Sequence, residues 1–199
     1  MEGTNPVNKK LAAVLSSGAV LGLALTLTGC GDDSDDKLNS WAKTVCDDVQ
    51  PQAKKIESAN AAIQQQTSDN SKPEDVQKTD SKAFQDMSDA YKAMGNAVQK
   101  AGNPPVDGGD KTKSDAVREL KSISASYGDL KKQVDALDTK DQSKFADGLK
   151  GVAGELSKLS KSGNNALDKL QSGDVGKAMK KQKSCQSSSA SASPAPSNA

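Results

Sequence analysis

No histidine occurs anywhere in the 199 residues. Its absence removes the commonest general base and metal ligand, and it excludes Ser-His-Asp and Cys-His nucleophile systems. Aromatic residues make up only 3% of the chain, with a single tryptophan. At a mean hydropathy of -0.69, apolar side chains must be used economically. A charge excess is also missing. With 27 basic side chains against 26 acidic ones, there is no electrostatic case for nucleic acid, which needs a basic stripe. The signatures G-x-x-x-x-G-K-[ST], G-x-G-x-x-G and G-x-S-x-G are absent. Adjacent carboxylates such as Asp47 and Asp48 remain, but they fall on the polar face of a predicted helix and read as solvated. The acidic run Asp32, Asp33, Asp35 and Asp36 lacks the alternating ligands, central glycine and closing glutamate of a calcium loop. Neither catalytic residues nor a cofactor or metal set is expected, and nucleic acid is not an expected partner.

The N-terminus is the most informative stretch. Asn8, Lys9 and Lys10 form a basic start, Leu11 to Leu27 is uncharged and rich in Leu, Ala and Val, and small residues follow. That is the three-part layout of a secretory signal peptide, with no cationic stop-transfer flank behind it. The stretch then runs Leu27-Thr28-Gly29 straight into Cys30. This motif resembles the lipobox of bacterial lipoproteins. The resemblance implies that the Cys30 thiol receives a diacylglyceryl group and becomes the first mature residue, holding the chain to the extracytoplasmic face of the cell membrane. Residues 1–29 are then the signal peptide and 30–37 an acidic, solvated tether.

With Cys30 assigned to lipid, Cys46 and Cys185 remain. Two cysteines in an exported chain are expected to form a disulfide, and no C-x-x-C spacing supports a reactive pair. Closing so long a loop contributes about 5 kcal/mol by loop-closure entropy before strain.

Between the tether and the tail, four segments show helical periodicity. In the first, Ala42, Val49, Ile56 and Ile63 recur every seven residues, with Leu38, Val45 and Ala59 beside them. Trp41 reads as a core residue with a hydrogen-bonded indole edge. Pro51 interrupts the bonds but not the phase, which predicts a kink. Pro73, Glu74 and Asp75 open the second segment, followed by Val76, Phe84, Met87, Tyr91, Met94 and Val98. Gly102 to Asp110 is the clearest break. The third segment, Ala116, Leu120, Ile123, Tyr127, Leu130, Val134 and Leu137, keeps steps of four and three throughout. Thr139 and Gln142 have the spacing of a capping box ahead of Phe145, Leu149, Val152, Leu156 and Leu159. In that last set Gly148, Gly151 and Gly154 weaken the helix unless they allow close approach. A short helix from Val175 to about Lys183 brings Val175, Met179 and Cys185 to one side, with Lys177, Lys180, Lys181 and Lys183 at its end. Residues 186–199, rich in Ser, Ala and Pro, are expected not to fold.

The expected architecture is all-α: an antiparallel up-down four-helix bundle with a short fifth C-terminal helix, over residues 38–185. The fifth helix must run back along the first to bring Cys185 to Cys46. With the lipobox, Trp41-Ala-Lys-Thr-Val-Cys46 near the mature start and a late Cys185, the chain resembles the small secreted lipoproteins of actinobacteria. It is expected to act as a membrane-tethered, non-catalytic interaction or regulatory module with a protein partner in the cell envelope. The alternative is a carrier that opens around a small apolar ligand or lipid near Phe84, Tyr91, Tyr127 and Phe145.

Overall fold

A computed structural model describes residues 32–66, 71–162 and 170–189. Among the described residues there are six helices and no strand. They are α1 (Asp32–Gln66), α2 (Pro73–Ala101), α3 (Gly109–Asp135), α4 (Gln142–Ser162), α5 (Gly173–Lys180) and α6 (Lys183–Ser189). Pro51 lies inside α1, which continues through it for 35 residues. The acidic run read as a tether is helical from Asp32. Asp33, Asp35 and Asp36 are exposed there, where the positive end of the helix dipole favours carboxylates.

Polar contacts between helices fix the chain directions. Ser71 Oγ donates to the Gln66 carbonyl at 2.6 Å, closing the turn from α1 to α2. At the far end Trp41 Nε1 donates to the Gly102 carbonyl at 3.0 Å, so these two helices run antiparallel. Gly102 has φ +80°, a value that glycine adopts without strain, as the chain leaves α2. Antiparallel pairing repeats between α2 and α3. Gln77 Nε2 donates to the carbonyls of Val134 and Leu137, both at 2.9 Å, satisfying groups that the end of α3 leaves open. Midway, Ser88 and Ser124 exchange bonds: each hydroxyl donates to the other's backbone carbonyl at 2.8 Å.

The all-α bundle expected from periodicity is therefore present, with its packing unevenly shared. Helix α2 packs broadly on both α1 and α3, while α4 lies against α3 and α5–α6 lie along α1. Leu120, Ile123, Leu130 and Val134 of the third stripe are buried, as are Phe84, Met87, Met94 and Val98 of the second. In α4 Phe145 and Val152 are fully buried, and Leu149, Leu156 and Leu159 are half-buried.

Three local expectations need correction. The cap of α4 is Asp141, whose Oδ1 accepts from the Lys144 backbone N–H at 3.1 Å, and not Thr139. An aspartate directly before the first helical residue reaches the third N–H without the longer box. The C-terminal helix is broken in two at Lys181–Gln182, and α6 continues to Ser189, so residues 186–189 of the expected tail are helical. The expected signal peptide, the expected lipobox and the rest of the tail lie outside the described residues.

Candidate interaction surface

Cys46 and Cys185 form the expected disulfide, spanning 139 residues with Cα atoms 5.0 Å apart. Cys46 is fully buried on α1, and its Sγ lies 4.0 Å from the Met179 carbonyl oxygen. Beside the bridge, Ser184 Oγ donates to Asp47 Oδ1 at 2.6 Å, and Lys43 pairs with the same carboxylate. These two partners hold the Asp47 carboxyl below the usual carboxylate range, Lys43 more than Ser184. Asp47 is thus engaged on the surface and Asp48 is exposed; the pair is not drawn together into an acid–base site.

The four aromatic residues considered as a ligand lining are distributed differently. Phe84 is buried, with its ring 6.1 Å from Tyr127, and Tyr91 stacks on Tyr127 at 5.5 Å. Burial pushes both phenols above the ordinary tyrosine range, and the neighbouring Tyr91 adds to the shift at Tyr127. These rings fill the α2–α3 seam. Phe145 is buried on α4. Trp41 is buried, with its indole edge bonded to Gly102.

A groove of about 480 Å³ lies instead on the surface between α1 and α2. Its floor includes Ala59, Ala62 and Ala83, and Lys78, Lys82 and Asp86 are among its polar rim. Lys82 and Asp86 pair across one turn at 2.6 Å. The short alanine side chains leave the depression open, and a partner helix can approach such a floor closely. Among the C-terminal lysines, Lys177 pairs with Asp174 at 2.9 Å, which raises its pKa. Lys180, Lys181 and Lys183 are exposed around the joint between α5 and α6.

Sequence reasoning missed one chemically unusual group. Asp80 is buried at 8% exposure in the α2 seam, and burial pushes its carboxyl up to about 6. The signal was a step of eight between Val76 and Phe84 in an otherwise regular stripe: Asp80 occupies the missing position. Among the described residues no group of His, Cys, Asp or Glu could hold a metal ion. Nor is any described helix long and apolar enough to cross a membrane. No family model, curated protein or solved structure matches the chain.

Proposed function

We propose that this chain is a lipoprotein held to the extracytoplasmic face of the cell membrane by a diacylglyceryl group on Cys30. Its bundle serves as a non-catalytic interaction or regulatory module for another envelope protein. The anchor rests on the Leu27-Thr28-Gly29-Cys30 motif behind a basic start and an apolar run. Two acyl chains suffice for stable attachment, so no spanning helix is required of the bundle. A disulfide joining α1 to the C-terminal helices fits an oxidising compartment.

One observation supports the module over the carrier. Phe84 and Tyr91 each pack against Tyr127, whereas the groove opens on the surface between α1 and α2. A surface of this kind meets a partner without opening the core. The test is to purify the native protein from detergent-solubilised membranes beside an Ala62→Arg variant. The wild type is expected to retain a stoichiometric protein partner, and the variant to lose it with its thermal unfolding unchanged. Stoichiometric lipid with no protein would replace this reading by that of a carrier.

A further inference from the structure

The last two helices are attached to the fold in an unusual way. Helices α5 and α6 pack on α1 and on each other. At eight and seven residues, they are far shorter than a helix that persists alone in water. Their fully buried apolar side chains are few and small, Val175 and Ala178, with Met179 half-buried. Among their polar ties to α1, the Ser184–Asp47 bond is exposed, and Gln182 Nε2 reaches the Asn39 carbonyl at 3.5 Å in a part-buried position. The covalent bond from Cys46 to Cys185 joins the segment to α1. On α1, Ala42 and Cys46 are fully buried one turn apart, and Val49 continues the row half-buried.

We propose that α5–α6 is a releasable strap, freed from α1 when the Cys46–Cys185 disulfide exchanges with an external dithiol, and that its release bares the Ala42–Cys46–Val49 row. Cys185 is less buried than Cys46, so the reductant's thiolate attacks Cys185 Sγ. The protein's S–S bond breaks, and Cys46 leaves as a thiolate and takes up a proton. The reductant's second thiol then attacks its own sulfur in the mixed disulfide. That step closes the reductant's disulfide and releases Cys185, which is protonated in turn. Two electrons pass from the dithiol to the protein, and no further reagent is needed.

The remaining fold has ties of its own that do not involve the strap. Trp41 is bonded to Gly102, Ser88 to Ser124, and Gln77 to the end of α3. Release therefore leaves the α1–α2–α3 layer standing. The strap does not depend on the anchor at Cys30. It adds to the proposed module a segment whose attachment to α1 is set by thiol chemistry.

The test uses the full chain, oxidised or treated with dithiothreitol, read by hydrogen exchange and by iodoacetamide alkylation. Under native conditions dithiothreitol is expected to make both thiols alkylatable and to speed exchange of residues 175–186 by about 30-fold or more, the low end of what losing a cross-link gives. The amides flanking Ser88 and Ser124 should stay far better protected than the strap, and reoxidation should restore the original pattern. Cys185→Ser should show the same strap exchange without reductant and expose Cys46 to iodoacetamide. Three results would overturn the proposal: a bridge that dithiothreitol opens only in denaturant, a strap that stays protected after reduction, or equal loss of protection in the strap and the α2–α3 seam.

Discussion

Asp80 occupies a seam position that the stripe through Phe84, Met87 and Met94 would otherwise give to an apolar residue, and its cost is electrostatic. Burial raises its carboxyl from the ordinary 3.8 to about 6. Between those values the folded protein keeps a proton that the unfolded chain has lost. Stability from this group therefore falls as pH rises from about 4 to about 6, and the loss is complete above that range. Asp80→Asn cannot ionise. The stability of this variant relative to wild type should grow by as much as about 3 kcal/mol between pH 4 and pH 7, since a tenfold difference in proton affinity corresponds to about 1.4 kcal/mol. Urea unfolding at the two pH values measures the difference, and the other carboxylates, common to both proteins, cancel. A pH-independent difference would mean that Asp80 is solvated. Other residues were legible at this scale because their chemistry admits few solutions. Trp41 needed a partner for its indole N–H and finds one at Gly102. The Ser88–Ser124 exchange was not legible, because a serine beside an apolar stripe is equally at home in water.

The amphipathic elements were legible wherever steps of three and four ran without a break, above all in α3, where Leu120, Ile123, Leu130 and Val134 are buried. Ends were less so. Asp141 and Thr139 compete to cap α4 from nearby positions, and the Ser-rich α6, bonded to α1 through Cys185, carries no apolar stripe. The three glycines of α4 carried two opposite meanings that only packing separates. A β-carbon on Gly148 would run into Leu137 Cδ2, whereas at Gly151 and Gly154 it would meet nothing within 4 Å. Gly148 thus permits the close approach of α4 to the end of α3, while the other two only loosen the helix. Gly151→Ala and Gly154→Ala should each raise stability by up to about 1 kcal/mol, and Gly148→Ala should gain less because the Leu137 side chain must rotate away. Equal gains at all three positions in urea unfolding would place α4 away from Leu137.

For the molecule as a whole, pairing the two cysteines placed the C-terminal segment on α1 before any helix could be docked, and the 5.0 Å Cα separation agrees with that topology. The unequal sharing of the core was not legible, since a stripe shows which face is buried but not how deeply. Cys46→Ser and Cys185→Ser should lower stability by similar amounts, about 2–5 kcal/mol, because both release the same constraint on the unfolded chain. The double variant should be no worse than either single one, and additive losses in urea would show two independent buried side chains. The anchor is tested at the same scale. On the proposed reading Cys30 takes the lipid, while Cys46 and Cys185 are bonded to each other. Burial of two acyl chains gives stable attachment where one gives only marginal binding. Cys30→Ser is therefore expected to shift the protein from the membrane fraction to the soluble fraction, or to leave it as uncleaved precursor, with the Cys46–Cys185 bridge intact in either case. Fractionation followed by intact-mass measurement reads both outcomes, and wild-type protein carrying an unmodified Cys30 would remove the basis for the anchor.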